Sequence, residues 1–160
     1  MARRRSRASG VGCITRDDTP ACTLHSPPGN EDIFMERFRI VVLSLAGLGF
    51  LGFGLAIVAA PEAVLGAVGI SGTTAGMIEL RSFYGGLELG LGAFLLACAA
   101  KPAWRLPGLW SVALINGGIG AARLLGIGLT GEFTGFFIGA LVWEIGFTLA
   151  AIVALRGSKA

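Results

Sequence analysis

Long apolar runs separated by short polar or proline-containing segments dominate the chain from residue 40 onward. They cover about residues 40–60, 77–100, 109–130 and 134–155. A helix rises about 1.5 Å per residue, so about 20 apolar residues cross the hydrocarbon core of a bilayer. Membrane-spanning strands would instead show segments of about ten residues with alternating polarity. The pattern therefore predicts an all-α fold, an integral membrane four-helix bundle formed by residues 35–160.

Residues 1–34 differ in character from the rest of the chain. They hold five arginines, four acidic residues and three prolines, and no apolar run. Such a segment buries too little apolar surface to order itself, and it lacks the apolar stretch of a secretory signal. We predict a disordered basic tail, and we hypothesise that Met35 is the biological start. The spacing of Cys13, Cys22 and His25 matches no zinc pattern, so no metal site is predicted there.

Composition narrows the class of protein further. Of the 160 residues, 54% are hydrophobic and only 14% are charged, with a mean hydropathy of +0.75. A soluble domain carries about 25% charged residues. The formal net charge of +3 is too thinly spread for a basic nucleic-acid-binding patch. A soluble domain, a fully disordered chain and a nucleic-acid partner are all disfavoured, and the lipid bilayer is the expected partner.

Charges flanking the apolar runs predict the orientation. Cytoplasmic segments of membrane proteins carry an excess of Lys and Arg. Basic residues lie before the first run, between the second and third, and after the fourth, whereas the other two connections hold only Glu62 and Glu132. Both termini are therefore predicted to be cytoplasmic, in a multi-pass protein of the bacterial inner (plasma) membrane. The basic residues are Arg37, Arg39, Lys101, Arg105, Arg156 and Lys159.

Polar side chains within the apolar runs form the candidate binding site. A charged side chain at the centre of a membrane helix costs about 2.5–3.5 kcal/mol on insertion scales, so such groups are expected to face inward and pair. Intramembrane ionisable residues are also functional candidates. We call this set the polar seam: Glu79, Arg81, Tyr84, Glu88, Asn116, Arg123 and Glu144.

Helical geometry predicts how the polar seam is arranged. Counting along each run places Glu88 and Glu144 near the middle of the membrane, with Arg123 about one turn above them and Asn116 about one turn below. Arg81, Tyr84 and Glu88 recur at i, i+3 and i+7, which is one face of an α-helix. The Arg123 guanidinium, with its five donors, is expected to bridge Glu88 and Glu144.

Three hypotheses remain open for the polar seam. It binds or moves a small polar solute or protons, it serves only helix assembly, or it supplies Glu88 and Glu144 as acid and base to a membrane-embedded or quinone-linked enzyme. The sole histidine, His25, lies in the tail, so no Ser-His-Asp set and no His-ligated haem are predicted. No cofactor, metal or catalytic residue is assigned.

Small residues are abundant, with 26 glycines in the chain. Pairs spaced four residues apart let membrane helices approach closely. Such pairs favour tight packing within one bundle, and homo-oligomerisation through the same faces is the alternative. The pairs are Gly86/Gly90, Gly117/Ala121 and Gly118/Ala122.

The run Glu79–Gly92 contains the pattern R-x-x-Y-G-G at residues 81–86. With Pro61, Arg123-Leu124-Leu125-Gly126 and Glu144, this run resembles the bacterial family known as domain of unknown function 4345, over roughly residues 40–155. The resemblance implies a four-helix membrane protein without an assigned activity. This chain has Thr130 where that family often has an acidic residue. A weaker resemblance to DoxX-like four-helix membrane proteins implies a redox or quinone-linked accessory role by analogy of fold.

Overall fold

The computed structural model describes residues 29–157 as a helical structure in which no strand occurs. Four stretches are long and apolar enough to cross a membrane, which confirms the predicted all-α membrane fold. The second of these stretches, Thr74–Ala100, is interrupted by a π-helical turn. The elements are α1 (Asn30–Ala59), α2 (Pro61–Gly66), α3 (Thr74–Leu80), the π turn (Arg81–Gly86), α4 (Leu87–Ala100), a 3₁₀ turn (Pro102–Trp104), α5 (Arg105–Thr130) and α6 (Gly135–Arg156).

Helix α1 begins ten residues before the apolar run that predicts it. Residues 30–34, which the sequence pattern assigned to the tail, form its first turn. The Asp32 carboxylate accepts a hydrogen bond from the Gly29 N–H at 3.1 Å, and Glu31 lies beside it at the positive end of the helix dipole. These local contacts extend the helix beyond its apolar part. Residues 1–28, which carry Cys13, Cys22 and His25, lie outside the described residues.

The four spans form two hairpins, α1 with Thr74–Ala100 and α5 with α6. We call the end where α1 begins and α6 ends the base, and the end that holds α2 and the turn at residues 131–134 the top. The main core lies in the base half and draws on all four spans, whereas a second core of Ile57, Leu65 and Met77 joins only α1, α2 and α3. Buried residues of the main core include Leu43, Leu95, Cys98, Leu109, Val112 and Ala151.

An ionic cluster ties the helix ends together at the base. Glu36 pairs with Arg39 at 3.4 Å and with Arg105. The Nε atom of Arg39 donates to the carbonyl of Ala154 at 3.2 Å, and that of Arg105 donates to the carbonyl of Ala99 at the same distance. Both arginines thus bind carbonyl groups in the last turns of α6 and α4, where the helix dipole favours cations. The charge pattern had assigned Arg39 and Arg105 only a role in orientation.

Candidate functional site

The π turn sets which side chains of the second span face the rest of the protein. Met77 packs in the second core, and Gly85 packs against Val58 of α1. In a regular α-helix eight residues rotate through about 800°, which would place these two positions about 80° apart. A π turn accommodates one extra residue, so the same two positions return to within about 20° of one face. The π turn lets both ends of the span pack on α1.

The same turn separates Arg81 and Tyr84 from Glu88. Arg81 and Tyr84 are exposed. The prediction that they share a face with Glu88 assumed the regular rotation of an α-helix, which the π turn interrupts. The Tyr84 hydroxyl makes no hydrogen bond to Glu88 or Glu79, and the Tyr84 ring lies edge-on to Phe83. Glu79 is exposed, and neither it nor Arg81 has an ion-pair partner within residues 29–157.

Arg123 and Glu144 form a close ion pair between α5 and α6. The Nε atom of Arg123 donates to both carboxylate oxygens at 3.0 and 3.1 Å, and its Nη2 atom donates to Oε1 at 2.6 Å. Gly120 lies beside the carboxylate: a Cβ atom there would meet Oε2 of Glu144 at 3.5 Å. The Thr148 hydroxyl donates to the Glu144 carbonyl at 2.7 Å. Glu144 is buried, and both of its carboxylate oxygens accept bonds from the guanidinium.

The other edge of the Arg123 guanidinium is open. Its Nη1 atom makes no hydrogen bond to any residue in the described part of the chain, and it is not fully enclosed. The rings of Phe136 and Phe137 lie 5.7 and 5.8 Å from its central carbon, within the range of cation–π attraction. Sequence reasoning missed both phenylalanines, because an aromatic residue in an apolar run carries no distinguishing pattern.

Glu88 lies apart from this pair. Its Cβ atom would be 3.1 Å from a Cβ placed on Gly54 of α1, so the side chain starts at the interface within the first hairpin. The carboxylate oxygen Oε2 is fully enclosed and has no hydrogen-bond partner among the residues described. The bridge from Arg123 to Glu88 that helical counting suggested is not formed. A buried polar atom without a partner carries a free-energy cost and calls for an explanation.

Asn116 is buried in the base half, one helical turn from Gly120 along α5. Its amide donates to the carbonyl of Val112 at 3.1 Å, which is a bond within its own helix. The structure therefore assigns the polar seam residues to different settings. Arg123 and Glu144 are joined, Glu88 and Asn116 are wholly or partly enclosed elsewhere, and Glu79, Arg81 and Tyr84 are exposed.

Comparison with known families gives one match. The family model described as Domain of unknown function (DUF4345) matches residues 38–155. This match includes the apolar part of all four spans, with the ion pair, Glu88 and the π turn. No curated protein and no solved structure matches the chain. The R-x-x-Y-G-G pattern that suggested this family coincides with the π turn, residue for residue.

Proposed function

We propose a function from the geometry of the candidate site, because this chain belongs to the family described as domain of unknown function 4345 and that description names no activity. The protein binds a small polar solute within its membrane domain at Glu88, and the unused edge of the Arg123–Glu144 pair is a separate contact in the other hairpin. The observation that carries the proposal is unused hydrogen-bonding capacity. Arg123 has a donor atom, Nη1, and Glu88 an acceptor atom, Oε2, without partners in the described residues.

Energetics support a ligand over a proton relay. An enclosed carboxylate oxygen without a hydrogen bond destabilises the folded protein more than a hydrogen-bonded one does, and proteins retain such a group where function requires it. Glu144 is unsuited to exchanging protons with Glu88, since both of its oxygens are held by Arg123. A solute that donates a hydrogen bond would satisfy Glu88, and one that accepts a hydrogen bond would satisfy Nη1 of Arg123 without disturbing that pair.

A stabilisation screen with the purified full chain in detergent tests this proposal. The probes are acetate, acetamide, glycine and inorganic phosphate, and the variants are Glu88→Gln and the exposed control Glu79→Gln. A bound ligand raises the melting temperature by mass action, by the equivalent of about 2.7 kcal/mol at one hundred times its Kd. We expect at least one probe to stabilise the natural chain and Glu79→Gln, and to lose most of its effect on Glu88→Gln. Equal effects on all three proteins, or none on any, would contradict the proposal.

Helix assembly is the second candidate, and one observation favours it. The Arg123–Glu144 pair satisfies Glu144 completely and links α5 to α6, as a purely structural pair would. In that case the pair contributes to stability and no solute contributes further.

We also propose that the base faces the cytoplasm and that the protein lies in the bacterial inner membrane. The base carries Arg37, Lys101 and Arg156 beside the ionic cluster, whereas the turns at the top carry Glu62 and Glu132 and no Lys or Arg. Alkaline phosphatase, active only outside the cytoplasm, should be active when inserted in the turn at residues 131–134 and inactive when fused after residue 157. The reverse pattern would overturn the orientation.

A further inference from the structure

An apolar groove lies near the base, between α4 and the beginning of α5. It has a volume of about 230 Å³ and is lined by Phe94, Cys98, Trp104 and Pro107. Cys98 is buried at its floor, where α5 comes so close that a Cβ on Gly108 would lie 2.6 Å from the Cys98 Cβ. Phe94, Trp104 and Pro107 are exposed and form its walls. The groove therefore arises where two small residues let the helices meet between larger ones.

Lys101 places a positive charge at the rim of this groove. Its ammonium nitrogen lies 4.2 Å from the centre of the Trp104 ring, within the range of cation–π attraction. It has no ion-pair partner within residues 29–157. Trp104 and Pro107 also belong to the beginning of α5, whose first turn has no side-chain cap and no acidic residue, and the positive end of a helix dipole favours an anion. The rim is therefore suited to a negatively charged group.

Polarity changes along the groove, from the base toward the middle of the membrane. Phe94 lies seven residues before Lys101, which is about 10 Å farther from the base along the helix. Lys101 lies at the base end, whereas the residues that line the groove are apolar apart from the Cys98 thiol. Tryptophan is enriched at the level of the lipid head groups, which agrees with Trp104 beside Lys101. A phospholipid has the same gradient, with its phosphate at the interface and its acyl chains in the hydrocarbon.

We propose that this groove binds one anionic phospholipid, whose acyl chain lies along Phe94 and Cys98 and whose phosphate pairs with Lys101. Basic pockets between membrane helices recognise acidic lipid head groups in this way. No residue of the groove belongs to the polar seam, so lipid binding here is independent of the proposed solute. The described residues at the base include five basic and three acidic side chains: Arg37, Arg39, Lys101, Arg105, Arg156, Glu31, Asp32 and Glu36.

Two other occupants match the groove less closely. A zwitterionic lipid has the same chains, but its head group adds a positive charge that Lys101 repels. A second copy of this chain would have to bring a carboxylate to Lys101. Glu36 is already paired with two arginines, and Glu31 and Asp32 lie in the first turn of α1, at least eight residues or about 12 Å before the apolar run begins. An anionic lipid meets the charge and the depth of the groove together.

Native mass spectrometry of the full chain, released from detergent micelles, tests this site. Four probes separate the parts of the ligand. Dioleoyl phosphatidylglycerol is anionic, dioleoyl phosphatidylcholine is zwitterionic, dioleoylglycerol lacks the phosphate, and glycerol 3-phosphate lacks the chains. We expect one phosphatidylglycerol to bind at the lowest concentration, and each of the other three probes to bind at least about fivefold more weakly.

Two variants with matched controls locate the binding. Lys101→Gln should weaken phosphatidylglycerol binding about fivefold, the effect of one basic residue at an anionic lipid surface. Arg37→Gln removes the same charge from another exposed position at the base and should change binding by less than about twofold. Phe94→Ala should weaken binding about fivefold through lost contact with the acyl chain. Phe53→Ala on α1 should not, although Phe53 is 42% exposed and Phe94 39%.

The other outcomes would each contradict the proposal. Equal binding of phosphatidylcholine and phosphatidylglycerol, or equal losses from Lys101→Gln and Arg37→Gln, would show that the charge at the rim is not recognised. Glycerol 3-phosphate that binds as tightly as the lipid would identify a site for free phosphate. A dimer that forms without lipid and is lost in Trp104→Ala would show that a second copy fills the groove. The solute screen at Glu88 is unaffected by any of these results.

Discussion

Replacing Glu144 with leucine is expected to lower the free energy of unfolding by about 3–5 kcal/mol, the usual cost of removing one partner of a buried ion pair. The substitution leaves the Arg123 guanidinium without the three hydrogen bonds that Glu144 accepts. The nearby rings of Phe136 and Phe137 offer only weak compensation. Reversible denaturation of the full chain in mixed detergent micelles, followed by circular dichroism, measures this loss.

Two further variants identify the cause of the loss. The double replacement Arg123→Leu/Glu144→Leu removes both charges, so it should recover most of the stability lost by Glu144→Leu. Glu79→Gln alters an exposed carboxylate without an ion-pair partner in the described chain and should change stability by less than about 0.5 kcal/mol. A double variant as unstable as Glu144→Leu would show that the cost arises from lost packing.

The double variant also separates the two candidate functions of the pair. If Arg123 and Glu144 serve assembly alone, the Leu/Leu protein should retain all properties of the natural chain apart from small changes in stability. If Arg123 binds a ligand, the Leu/Leu protein should fold and yet lose ligand stabilisation. Stability and binding therefore give independent readouts of the same two residues.

The number and approximate position of the spans could be predicted from the sequence, because hydrocarbon thickness imposes a minimum apolar length. The residue at which α1 begins could not be predicted from the sequence. Its first ten residues, from Asn30, carry charges and are held by the Gly29–Asp32 contact and by the pairing of Glu36 with Arg39 and Arg105. Glu36 and Arg105 are 69 residues apart in the chain, and no local pattern reveals such a contact.

The Arg123–Glu144 pair could also be anticipated, since counting residues along α5 and α6 places both at similar depth and burial of charge requires pairing. The shared face of Arg81, Tyr84 and Glu88 could not be predicted correctly, because that prediction assumed a uniform rotation of about 100° per residue. The π turn had only an indirect sign. Met77 and Gly85 are both buried, although a regular α-helix would place them on different faces. Burial of these two residues is itself a tertiary property.

The spacing of small residues indicated that the second span packs closely on a neighbour, but it did not indicate which face of the span does so. Gly86 and Gly90, spaced as a packing pair, meet nothing within 4 Å in the described structure. The face that packs on α1 instead carries Gly85 and Gly92, opposite Gly54 and Gly47. The spacing of glycines along one helix does not show which of its faces meets a neighbour, because both faces of this span contain them.

Replacing Gly92 with alanine is therefore expected to lower the free energy of unfolding by about 3 kcal/mol, at the upper end of overpacking costs. A Cβ atom at this position would lie 2.7 Å from both the carbonyl oxygen of Gly47 and the backbone nitrogen of Leu51. Backbone atoms cannot rotate away as a side chain can, so α1 and α4 must move apart. Since this contact lies in the half that holds the main core, the separation would also disturb packing around Leu95.

Gly90→Ala is the matched control, two residues away on the same helix. It places its Cβ in open space, and replacing a helical glycine with alanine contributes about 0.5–1 kcal/mol of stability. The two variants should thus shift the denaturation midpoint in opposite directions when measured side by side in the same micelles. A destabilised Gly90→Ala with an unchanged Gly92→Ala would show that α1 packs on the other face of the second span. The close approach of Gly47 and Gly92 would then be wrong.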